Sequence, residues 1–337
     1  MNYYDLIIMV LIAGIVITGI TIETVKEESD ILARLNKLRG LFAVVIVIGH
    51  SVQGHMESTY LYAFEKLLCI CVAYFFFVSA YGITLSAAKR EDYFNGFMVR
   101  KCGYILFLSI IAYLVEIISN YVVYHNKGFE ENIVVAFFKY TNWYVWEVIG
   151  FYILLRIVFG VIKSHRGVVL LMVAVVTGVI MYTFRVYEPY YTAIFAFPMG
   201  VLVAEHREGF YKLLNDKKLV YILVLAVFSA CGLGCFVLPE GIIIRDLFMR
   251  NSMGIGAVLA LILVVSRINV GNAFLKFLTK YSAEIYIFQF VWIRQAAKMG
   301  YSYKIVLVYI LIMTLLCAVI FHYIDEKVKS MLKAFSL

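Results

Sequence analysis

Eleven apolar stretches run along the chain, at about 5–22, 38–54, 67–87, 102–123, 143–162, 168–184, 190–204, 218–237, 248–266, 281–297 and 304–324. Bulky aliphatic and aromatic residues follow one another in them without alternating with polar ones. That pattern argues against the short alternating strands of a β-barrel. Within lipid, a helix satisfies its own backbone donors and acceptors, so each stretch predicts a helix. Most are close to the roughly 20 residues that a spanning helix needs. The stretch 190–204 is shorter and carries Pro198, so Pro198-Met199-Gly200 predicts a bend or break there. The fold class expected is an all-α polytopic transmembrane helix bundle.

Composition agrees. Hydrophobic residues make up 64% of the 337 and charged residues 15%, and the mean hydropathy is +0.90. A soluble globular chain is nearer to about 45–50% apolar and about 25% charged. An ordinary soluble enzyme, a disordered chain and a nucleic-acid-binding module are excluded, and the connecting segments leave no room for a separate soluble domain.

The formal net charge of +8 then reads as topology. Of the 30 Lys and Arg residues, 21 fall in alternate connections and the C-terminal tail, and nine in the intervening ones. By the positive-inside rule, the first set is cytoplasmic. The expected arrangement is an integral protein of the cytoplasmic (plasma) membrane, N-terminus outside and C-terminus inside. Segment 5–22 has no Lys or Arg before it and no small-residue cleavage pattern, so it reads as a retained helix and not a signal peptide. Anionic lipid headgroups or an anionic soluble ligand are the expected counterparts of the basic face. The six cysteines sit in or beside apolar segments without CxxC spacing and read as packing residues, and no metal is expected.

Ionisable residues at membrane depth are costly and so are candidates for function. His50, Glu116, Glu147 and Glu284, with Arg250 and Arg294, are the ones to explain. Arg39 precedes His50 by eleven residues, about three turns and 16 Å of helix, so both lie on one face. Ser79 and Tyr81 sit in an aromatic stretch whose small residues permit close helix approach. Trp143, Trp146 and Glu147 open the fifth segment, where a membrane-interface role competes with a functional one. Glu116 lies deeper and has Arg294 or Arg250 as possible structural partners. His125, His165, His206 and His322 fall near helix ends and read as solvated or interfacial.

Several of these residues lie in motifs that, taken in order, resemble the integral-membrane acyltransferase-3 family. LNKLRGLFAVVIVIGH (Leu35–His50) is similar to its opening, with the Arg and His as Arg39 and His50. YFFFVSAYGITL (Tyr74–Leu85), the Arg100-Lys101 pair, NWYVWEVIGFYILL (Asn142–Leu155), FPMGVLVAE (Phe197–Glu205) and FLKFLTKYSAEIYIFQF (Phe274–Phe290) follow in the family's order. Tyr104 stands where the family often has a second basic residue. Glu147 comes one position early, and Gln289 stands where a His is common. The resemblance covers roughly residues 34–326. It implies a domain at 34–337, preceded by an extra transmembrane helix and linker at 1–33.

It also implies an O-acetyltransferase type of enzyme. Acetyl-CoA would be the acyl donor, and the acceptor a polysaccharide or lipid-linked sugar of the cell envelope. His50 and Arg39 are then the catalytic pair, with His50 as general base or acyl relay. Arg100 and Lys101 would contact the donor, and Ser79, Tyr81, Trp143, Glu147 and Glu116 would line the path of the acceptor. The competing reading is a secondary transporter or flippase-like carrier of an envelope precursor, with Glu116 and Glu284 as proton-coupling groups. The absence of an inverted repeat in the sequence speaks against it.

Overall fold

The computed structural model describes residues 3–25, 27–53, 60–124, 137–139 and 141–335; His125 and the cations Lys26 and Lys127 lie outside the described residues. Each of the eleven apolar stretches contains an α-helix among its described residues. Seven of the described helices are long and apolar enough to cross a membrane. They include α4 (Tyr62–Lys89), α5 (Tyr104–Tyr124, after a π-helical turn at Val99–Gly103), α6 (Trp143–Val161) and α7 (Arg166–Thr183). The remaining stretches fold as shorter helices. α1 (Tyr3–Ile17) has 15 residues, α3 (Arg39–Ser51) 13, α9 (Ala196–Glu205) 10 and α14 (Ser282–Ala296) 15. At 1.5 Å per residue these fall short of the roughly 30 Å hydrocarbon layer.

The short helices correct two sequence expectations. The first helix stops at Ile17, and Ile20–Ile22 forms a strand antiparallel to Ile268–Val270. The β-branched run Ile20-Thr21-Ile22 favours that extended pairing. Pro198 does not break a helix either. It is the third residue of α9, in the first turn, where a missing N–H costs nothing. The interruption lies earlier, at Ala193, after the single turn Pro189–Thr192.

Helix α4 is the hub. Its residues from Cys71 to Leu85 are buried on nearly every face, and α3, α9 and α12 (Arg250–Val265) pack against it. Polar ties at the two ends join the segments that the charge count placed together. At the basic end, Arg34 donates to the carbonyls of Glu23 (2.5 Å) and Val265 (3.0 Å), and Lys37 reaches Asn269 Oδ1 at 2.7 Å. At the opposite end Arg250 pairs with Glu188, and Lys298 donates to Asn120 Oδ1 at 3.2 Å.

Two of the deep carboxylates are occupied in holding helices together. Glu116 on α5 accepts both forks of the Arg294 guanidinium on α14, at 2.7 and 2.5 Å. Glu284, 1% exposed, accepts from Tyr104 Oη at 2.8 Å and lies 2.7 Å from His322 Nδ1 on the last helix, α15 (Tyr303–Phe335). His322 is therefore not a solvated helix-end residue; tertiary packing draws it inward at 16% exposure.

Removing one member of the Glu116–Arg294 pair leaves a buried charge without its counter-ion. Arg294→Ala should cost about 2 kcal/mol, less than for a fully buried pair because Arg294 is one-third exposed. The double variant Glu116→Gln/Arg294→Gln should recover part of that loss. Thermal unfolding in detergent measures both.

Candidate functional site

Arg39 and His50 stand at opposite ends of α3, each beside a glycine that admits a neighbouring helix. A Cβ on Gly40 would lie 2.3 Å from the Leu278 carbonyl carbon of α13 (Ala273–Lys280). One on Gly49 would lie 2.7 Å from the Leu68 side chain and 2.9 Å from the Phe64 carbonyl oxygen of α4. The glycines of the motif thus fix how deeply Arg39 and His50 sit between helices, a role that the sequence pattern did not disclose. Gly49→Val should displace the end of α3 from α4. The expected result is lower detergent stability than for the same change at Gly14, which has nothing within 4 Å of a Cβ.

The two residues line different cavities. Arg39 faces a cavity of about 350 Å³ toward the basic end, together with Lys101, Ser79, Tyr93, Tyr144 and Tyr152. Among the described residues its lining holds no acidic side chain. Arg39 Nε is buried there without a hydrogen-bond partner. A buried guanidinium with an unmet donor, beside a second cation and no carboxylate, is a site for an anion. Ser79 Oγ and Tyr152 Oη hydrogen-bond to each other at 2.7 Å in the wall.

Arg100 and Lys101 have different fates. Both lie in the π-helical turn, a geometry frequent at functional sites. Arg100 turns back to the carbonyls of Tyr93 (2.8 Å) and Asn95 and staples the loop that carries Tyr93 into the wall. Lys101 lines the cavity itself.

His50 opens on a second cavity, of about 500 Å³, toward the opposite end. Trp143, Glu65, Cys69, Arg245 and Arg250 share its lining. His50 Nδ1 lies 3.3 Å from Gln53 Oε1. With the amide oxygen as acceptor, Nδ1 carries the ring proton and Nε2 keeps its lone pair, the form that a base or nucleophile requires. Gln53, three residues beyond the histidine and past the helix end, is a partner that the sequence reading missed.

An aromatic wall separates the cavities. The His50 ring meets Phe290 edge-on at 5.1 Å between centroids, Phe290 meets Tyr286 at 5.9 Å, and Tyr286 meets Tyr144 at 4.4 Å. Tyr144 and Tyr286 form the roof of the Arg39 cavity. Asn142 places this layer by capping α6, its side chain accepting from Tyr144 N at 2.8 Å. Glu147, one turn on, is 9% exposed, and neither carboxyl oxygen has a hydrogen-bond partner among the described residues. It lies within electrostatic reach of Cys69, Tyr144, Tyr190 and Tyr286.

The structure therefore brings Arg39, Lys101 and Ser79 to one cavity, and His50 and Trp143 to the other, with Glu147 beside the wall between them. Tyr81 lines neither; it is core, its ring 5.9 Å from Phe77. Glu116 borders only a small void beside Arg294. Gln289 is wholly buried and donates to the Tyr286 carbonyl at 2.9 Å. Among the described residues no three His, Cys, Asp or Glu are placed to hold a metal ion.

No curated protein and no solved structure matches the chain. The model of the acyltransferase-3 family, described as an acyltransferase domain, matches residues 32–323, a span that contains α3, the aromatic wall and both cavities. With a bundle of apolar helices and a match over most of its length, the chain is an integral membrane protein that belongs to the acyltransferase-3 family.

Proposed function

We propose that this acyltransferase carries an acetyl group from cytoplasmic acetyl-CoA to a hydroxyl of an envelope polysaccharide or its lipid-linked precursor. The observation that supports the reading most is the pair of cavities on one helix. An acid-free cavity with an unmet guanidinium opens toward the basic end, and a cavity with a free imidazole nitrogen opens toward the other. The basic end is cytoplasmic by the charge rule. The phosphates of the donor meet Arg39 and Lys101 there, while Arg100 keeps the loop in place.

The thioester then reaches His50 past Tyr144, Tyr286 and Phe290, which must turn aside for it. His50 Nε2 takes the proton of the acceptor hydroxyl as its oxygen attacks the thioester carbonyl. The C–O bond forms, the C–S bond breaks, and the departing thiolate recovers the proton from the imidazolium. Gln53 keeps the ring in the tautomer that leaves Nε2 free.

His50→Ala should lower acetyl transfer by about 10²–10⁴-fold, the range for loss of a general base. Membrane insertion should be unchanged, and acetyl mass on the glycan, read by mass spectrometry, gives the result. Undiminished acetylation would remove His50 from the mechanism. General-base catalysis further predicts no exchange of labelled CoA into acetyl-CoA when acceptor is absent, whereas an acyl-histidine relay would catalyse that exchange.

Arg39→Ala should raise the KM for acetyl-CoA by about tenfold or more, as expected for losing a charge-assisted bond. Arg39→Lys should recover only part of it, because the planar fork is lost. A cysteine-accessibility map should find the 207–218 connection labelled only after the membrane is permeabilised.

A further inference from the structure

We propose that the cavity around His50 is built for an uncharged, hydroxyl-rich sugar and discriminates against acidic ones. The proposal rests on reading that cavity as the acceptor side, and it adds the chemical class of the acceptor.

The argument comes from which polar groups already have partners. The cavity wall carries two arginines, and both are committed. Arg245 donates to Asp246 Oδ1 at 2.7 Å, to Glu240 Oε1 at 2.9 Å and to the Cys235 carbonyl at 2.9 Å. Arg250 is paired with Glu188. Lys66 lies over the Tyr62 ring, 5.2 Å from its centroid. Among the groups left over is a buried acceptor. Glu65 Oε2 is buried in this wall with no hydrogen-bond partner among the described residues.

Buried carboxyl oxygens without donors are costly, and a ligand that supplies hydroxyl hydrogens removes the cost. A sugar carboxylate or phosphate brings more acceptors and negative charge, and finds the cavity's arginines already neutralised. Trp143 and Tyr187 in the same lining offer flat apolar faces for the C–H surface of a sugar ring. The Arg39 cavity has the opposite character, with an unmet donor and no acid. One chain thus holds an anion-seeking cavity and a hydroxyl-seeking cavity on either side of an aromatic wall.

The test uses the full-length protein in detergent. Binding of a neutral methyl hexoside and of the matching methyl hexuronide is measured by saturation-transfer NMR, and each is offered as acceptor with acetyl-CoA. The expected result is binding of the neutral sugar about tenfold tighter than the uronide, the worth of one hydrogen bond to a charged group. Glu65→Lys should then erase or reverse the preference. Equal or tighter binding of the uronide by the natural sequence overturns the proposal, even if acetyl transfer occurs. Binding of neither sugar overturns it too. Selective binding without transfer to any acceptor upholds the charge selectivity and instead overturns the acyl-transfer reading on which it was built.

Discussion

The position of one short helix governs the rest of the molecule. α3 carries an arginine at one end and a histidine at the other, about 16 Å apart, and neither can face hydrocarbon at an acceptable cost. Both are tolerated because α4, α13 and α14 close around the helix, as Gly40 and Gly49 allow. Thirteen residues suffice, because α3 does not itself have to span the layer; it only has to connect the two cavities.

The aromatic wall is the second consequence of that packing. Rings from α4, α6 and α14 meet where α3 passes between the cavities: Phe75 with Tyr286, Tyr286 with Tyr144, and Phe290 with His50. Aromatic pairs in tilted or edge-on contact fill such a space while leaving the rings free to turn about two side-chain bonds. Two of the wall's members, Tyr144 and Tyr286, also line the cation-lined cavity.

The first helix lies outside the span of the family match and still bears on the same element. Its residues Tyr4, Ile8, Met9 and Ile12 pack on the cluster formed by Ile48, Val52, Leu61, Phe64 and Leu307, the back of the His50 turn. Asp5, fully buried, accepts from Tyr303 Oη at 2.9 Å, and Tyr4 donates to the Lys304 carbonyl at 2.8 Å. At its other end, Asn272 donates to the Ile15 carbonyl at 2.7 Å. The helix is held at both ends, against the His50 half of α3.

The helical class, the number of apolar segments and the pairing of their connections into two ends were legible in the sequence. Hydrophobic runs and charge position decide those locally, whatever the neighbours do. The shared face of Arg39 and His50 was legible for the same reason, since it follows from helical periodicity alone. What they face was not legible, because a cavity is made by several helices that are distant in the chain. Only the tertiary structure gave Arg39 and His50 separate cavities, used up Glu116 and Arg100 in structural bonds, and buried Tyr81 in the core. It also left Arg39 Nε and the oxygens of Glu65 and Glu147 without partners. Whether a polar side chain is satisfied depends on groups from other helices, and a pattern read along one helix does not contain them.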